Sequence, residues 1–111
     1  MKWNQINQLT VLDEIKEQSK TQKVLIFKHS TTCSISSMSL SRLERSWSET
    51  EMTKIKPYYL DLLKYRDISN KIAQEFGIKH ESPQVLIIEN GKCIYNDSHN
   101  AISYKEIKNI L

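Results

Sequence analysis

The chain is poor in the residues that break or staple a fold. Its 111 residues include only two prolines, two glycines and two cysteines. So little Pro and Gly excludes long flexible linkers. The cysteines, Cys33 and Cys93, stand 60 positions apart. That spacing excludes a C-x-x-C pair and a zinc-ligand pattern, and each thiol has to be read alone. No apolar run exceeds four residues, the longest being Val24–Phe27 and Val85–Ile88. A membrane span needs about 20, so no membrane partner is expected. The opening Met1-Lys2-Trp3-Asn4-Gln5 is polar and lacks the apolar core of a secretory signal, so a cytoplasmic location is expected. A permanent structural disulfide is not expected there. The net charge of +3 is spread over interleaved Lys, Arg, Asp and Glu. It reads as a solvated mixed surface, without the basic stripe that would mark a nucleic-acid partner. Glycine-rich phosphate loops, paired carboxylates and a Ser-His-Asp arrangement are also missing.

What is present is the material of one ordinary globular domain, residues 1–111, with 39% hydrophobic and 26% charged residues. Trp3 to Ile6 suits a short edge strand. Leu9, Leu12 and Ile15 recur at helical spacing over 9–19, with Thr10 as a candidate cap. Lys23–Lys28 reads as a strand buried on both faces. A helix is expected from Cys33, or just after it, to about residue 47. Ile35, Met38, Leu43 and Trp47 form its apolar face, with Arg42, Glu44 and Arg45 outward. Pro57–Leu63 reads as a strand. Ile68, Ile72 and Phe76 mark a helix closed by Gly77. Gln84–Ile88 and Lys92–Tyr95 form a hairpin around Asn90-Gly91. Ser103-Tyr104-Lys105-Glu106 is a capping box opening a last helix. Alternating β and α elements imply parallel strands with crossover helices, and the hairpin adds antiparallel ones. The fold class is α/β: a mixed sheet of four or five strands with helices on both faces.

Cys33 is the centre of the chemistry. It stands between a buried strand and a helix start, where free backbone N–H groups and the helix dipole favour thiolate over thiol. Polar flanks, Thr31, Thr32, Ser34 and Ser36, point to exposure. Ser36 lies over the same first turn and is a candidate hydrogen-bond donor to the sulfur. Lys28 and His29 add positive potential if they point inward. Two readings stand for Cys93, a small residue packed on the sheet or a resolving thiol for Cys33. Two also stand for Pro83, a trans proline at a strand start or a cis proline in a tight turn. His99 either touches a bound partner or faces water, and Asp61 is read as a strand-end residue. Only His29 among the histidines is near Cys33 in the chain, so no metal site is expected.

The strand, the T-x-C-x-x-S of Thr31–Ser36, the following helix and the Ser82-Pro83 ahead of a hairpin resemble the thioredoxin superfamily. More narrowly, Phe27-Lys28-His29-Ser30-Thr31-Thr32-Cys33-Ser34-Ile35-Ser36 resembles the monothiol bacilliredoxins of the YtxJ type. So do Tyr65-Arg66-Asp67-Ile68-Ser69, Glu81-Ser82-Pro83-Gln84-Val85 and Ser98-His99. The resemblance implies a thioredoxin-like fold and removal of a low-molecular-weight thiol, bacillithiol, from protein mixed disulfides. It implies that Cys33 attacks, that Pro83 is the cis proline beside it, and that Ser82 offers its backbone to the bound thiol. No bound cofactor is needed beyond the thiol substrate. The implied partners are S-thiolated client proteins and a small thiol or disulfide reductase. Ser34 stands where that family commonly has proline, and keeps an N–H there. Two other classes fit the same fold: an iron–sulfur carrier of the monothiol-glutaredoxin kind, and a binding module without redox activity. Ser34-Ile35 in place of the glycine-containing C-G-F-S argues against the carrier.

Overall fold

The computed structural model describes residues 1–111. Strands β1 (Asn4–Gln5), β2 (Lys23–His29), β3 (Ile55–Asp61), β4 (Gln84–Glu89) and β5 (Lys92–Ser98) form one sheet in the order β1-β3-β2-β4-β5. Its β1–β3 and β2–β3 pairs are parallel, and its β2–β4 and β4–β5 pairs antiparallel. Helices α1 (Thr10–Gln18), α2 (Ser34–Ser46), α3 (Arg66–Phe76) and α4 (Tyr104–Ile110) complete it, with a 3₁₀ turn at His99–Ala101. No helix is long and apolar enough to cross a membrane.

β2 is central because every residue from Val24 to Ser30 is buried. Its side chains alternate between two cores. Val24 and Ile26 join Leu12 and Ile15 of α1, Ile68 and Ile72 of α3, and Leu86 and Ile88 of β4. Leu25 and Phe27 join Leu43 of α2, Trp47, Val85, Ile87, Ile102 and Ile107 of α4. A strand buried on both faces therefore needs the unbroken apolar run seen in the sequence. Gly77 closes α3 at φ 65°, and Asn90-Gly91 turns the hairpin with φ 52° and 75°. Positive φ at both central residues is the requirement of a type I′ turn. Ser103 caps α4 by accepting from the Glu106 N–H at 3.4 Å.

Four expectations are corrected. Thr10 is the first residue of α1 rather than its cap; Leu9 precedes it and no side chain caps the helix. β3 begins two residues earlier than expected, because Ile55 and Lys56 pair with Lys23 and Val24 of β2, and it ends at Asp61. β5 continues to Ser98, held by pairing with Gln84, where hydrophobic alternation had faded. The buried face of α2 near its start is made by Ser36 and Ser39, while Ile35 and Met38 are 48% and 68% exposed. The small serines let this helix end approach β2 and the His99 turn closely, so the larger apolar side chains turn outward.

Candidate functional site

The C-terminal end of β2 delivers the chain into a short turn. Cys33 N–H donates to the Ser30 carbonyl at 3.2 Å, and Ser37 N–H donates to the Cys33 carbonyl at 3.0 Å. Cys33 is thus the N-cap of α2, with extended backbone at φ −102° and ψ 121°. No side chain caps the helix, so the N–H groups of Ser34, Ile35 and Ser36 have no intrahelical acceptor. Thr31, Thr32 and Ser34 are exposed, and Cys33 is half-buried with a free thiol.

Ser36 serves a different purpose from the one its spacing suggested. It is fully buried. Its Oγ accepts the Ser30 N–H at 3.0 Å and lies 2.7 Å from His29 Nδ1. No hydrogen bond joins it to Cys33. It fastens the first turn of α2 to the end of β2 and so holds the Cys33 turn in shape. Ser36→Ala leaves the Ser30 N–H and His29 Nδ1 without this partner. We expect it to cost about 1–3 kcal/mol, read as a lowered urea midpoint. An unchanged midpoint would show that this anchor is dispensable.

Both basic residues before the turn do point inward, to opposite faces. His29 packs 5.8 Å from the Tyr59 ring, under α2. Burial holds its imidazole below the ordinary range, against the opposing pull of Asp61 and Glu44. At neutral pH it adds no positive charge. Asp61 is the strand-end residue expected, beside His29 in register. Lys28 has no exposed surface, and its Nζ donates to the Ser69 carbonyl and to His80 Nδ1, each at 3.3 Å. With no carboxylate beside it, burial pulls its ammonium down to about 8. Burial and the Lys28 charge likewise lower His80. Lys28 therefore binds proton less tightly folded than unfolded. Between about pH 8 and 10.5 the unfolded chain carries the extra proton, so this residue makes stability rise with pH. The gain should be no more than about 3 kcal/mol. Urea unfolding across that window should show a slope in the wild type that Lys28→Met lacks; identical slopes would refute it.

The Ser82-Pro83 peptide is cis, which decides the question left open by sequence. Pro83 is buried at the same end of the sheet as the Cys33 turn, since Gln84 pairs with Lys28. The Ser82 Oγ is buried and unpartnered. His99 turns its side chain to solvent, but its backbone is a junction. Its N–H donates to the Pro83 carbonyl at 3.0 Å, and its carbonyl accepts from Ser39 Oγ at 3.2 Å. The proline loop and α2 are thereby tied through one residue, at φ 55°. Ser98 Oγ also bonds Glu81. Sequence reasoning did not find Ser39, His80 or Glu81 in these roles. His80 and Glu81 lie just before Pro83, the one local hint; nothing in the sequence marked Ser39.

Cys93 lies away from this corner. It is level with Ile88 and Val24, while the site lies beyond Lys28 and Gln84. Its thiol is packed against the α1/α3 core and is pushed up chiefly by burial.

Solved structures carry the same fold. One described as having a thioredoxin fold superposes with a TM-score of 0.81 at 30% identity, covering 95% of this chain and 89% of its own. Thioredoxin from Fasciola hepatica superposes at 0.73 with 11% identity, over 96% and 94% of the two chains. That from Malassezia sympodialis superposes at 0.74 with 18% identity, over 98% and 87%. A thioredoxin fold with one thiol on the residue that precedes the helix after its central strand fits the class of monothiol thiol oxidoreductases. The family of monothiol bacilliredoxin BrxC matches residues 4–107, and the chain belongs to it.

Proposed function

We propose that this protein removes a low-molecular-weight thiol, bacillithiol, from client proteins that carry it as a mixed disulfide. The observation that carries the reading is Cys33: a single half-buried thiol on the N-cap residue of α2, with no second cysteine in its turn. The Cys33 thiolate attacks the small-thiol sulfur of the mixed disulfide. The old S–S bond breaks, the client cysteine leaves as thiolate, and Cys33 now bears the small thiol. A second small thiolate, or a reductase dithiol, attacks that new disulfide and restores Cys33. No electrons are gained or lost overall in the first step; one disulfide replaces another. The helix end steadies negative sulfur in the attacking and departing states alike. Ser82, before the cis proline, offers backbone groups to the thiol in transit. No bound metal or organic cofactor takes part.

The test is release of small thiol from one model protein, loaded in parallel with bacillithiol and with glutathione. Faster release of bacillithiol supports the reading, and release of neither thiol refutes it.

A further inference from the structure

No Lys or Arg other than Lys28 is buried in this protein. Its ammonium has no carboxylate within ion-pair distance. Burying an unpaired charge costs solvation that an apolar side chain of the same length would not lose. The contacts that Lys28 does make lead to the loop before Pro83. Its Nζ lies 3.3 Å from His80 Nδ1, and Ser69 Oγ of α3 lies 3.3 Å from the same nitrogen. A charged lysine only donates, so Nδ1 accepts and the imidazole carries its proton on Nε2. Burial and the Lys28 charge keep that ring neutral at neutral pH. Lys28 Nζ also donates to the Ser69 carbonyl at 3.3 Å, which ties β2 to α3 at the same point. Across the β2–β4 pair from Lys28 stands Gln84, on the same face of the sheet. Its Nε2 donates to the Lys79 carbonyl at 3.0 Å. Two paired strand positions thus hold two consecutive residues, Lys79 and His80. Glu81, Ser82 and Pro83 follow directly, and His99 N–H holds the Pro83 carbonyl from the other side at 3.0 Å.

We infer that Lys28 is a positioning residue for thiol exchange: through His80 it fixes the limb that carries Ser82, where the small thiol is received. The inference rests on the exchange reaction proposed above and adds a residue that touches neither the sulfur nor the substrate. It is separate from the Ser36 anchor, since Lys28 and His29 point to opposite faces of the sheet. Ser36 secures the turn that bears the attacking thiol, and Lys28 secures the limb that receives its substrate. An apolar residue at position 28 leaves His80 Nδ1 with Ser69 Oγ alone and cuts the tie from the limb to β2. The limb then takes up more positions, and a misplaced receiving group weakens exchange without changing the thiol.

The test measures small-thiol release from one bacillithiol-loaded client, together with alkylation of Cys33 by iodoacetamide, which needs the thiol but not the Ser82 limb. Lys28→Met and His80→Leu should each lower kcat/KM for release about tenfold, carried mainly in KM. The double variant should lie within about twofold of the more impaired single one, because both changes break one contact. His80→Asn, whose amide oxygen takes the place of Nδ1, should recover part of the loss. Alkylation should stay within about twofold of wild type in every variant. An unchanged kcat/KM in Lys28→Met, or in the surface variant His80→Leu, overturns the inference. So do losses that multiply in the double variant, which would mean that Lys28 does not act through His80. Alkylation slowed in step with release also overturns it, by placing the effect on Cys33 itself. Failure of the wild type to release the thiol would instead refute the exchange reaction, and this inference would fall with it.

Discussion

Cys33→Ser is expected to reduce small-thiol release by about a thousandfold or more, while Cys93→Ser stays within about twofold of wild type. A serine hydroxyl cannot accept the thiol as a disulfide, and the turn offers no other sulfur. Cys93 cannot substitute, for a reason of geometry. It is level with Val24, and the Cys33 turn begins past His29, five residues along β2. At the rise of a strand that is about 16 Å, whereas a disulfide needs Cα atoms within about 7 Å. Burial also keeps the Cys93 thiol protonated. Parallel release assays of the two variants check both halves. A tenfold loss in Cys93→Ser would place that residue in the cycle and require the sheet to open.

Phe27→Ala should lower stability by about 3–5 kcal/mol, the range for a fully buried aromatic side chain. Phe27 has no exposed surface and meets Trp3 edge-on at 5.9 Å and the His29 ring at 6.3 Å. It also fills the core under α2 with Leu43, Val85 and Ile102. For a domain of this size such a loss lowers the melting temperature by about 15 °C or more. Met38→Ala is the control. The sequence put Met38 on the buried face of α2, but it is 68% exposed. Its removal should change stability by no more than about 0.5 kcal/mol. Thermal and urea unfolding of the pair measure the contrast. Similar losses at both positions would mean that α2 buries its Met38 face.

The elements legible from sequence were those whose signals are local. Val24–Phe27 and Val85–Ile88 announced strands buried on both faces because nothing else tolerates such runs in a chain so polar elsewhere. Asn90-Gly91 and Gly77 marked their turns because positive φ is costly for other residues. Ser103 and Glu106 marked a helix start through a cap three residues long. The errors came where long-range pairing or packing outweighed local chemistry. Pairing with β2 drew Ile55 and Lys56 into β3. Close approach to β2 and to the His99 turn buried Ser36 and Ser39 in place of Ile35 and Met38.

The same division holds at the site. By itself the sequence determined that one thiol, Cys33, stands at a strand-to-helix turn, because a thiol's place relative to adjacent elements is fixed by the few residues around it. It also determined the α/β class, since that follows from the order and periodicity of the elements. Only the tertiary structure decided that Ser36 anchors the turn to His29 instead of serving the sulfur. Only it sent Lys28 and His29 to opposite faces, set the Ser82-Pro83 bond cis, and left Cys93 level with the far end of β2. Each of these depends on contacts between segments distant in sequence, and a hydrogen-bond partner leaves no periodic mark on the chain that carries it.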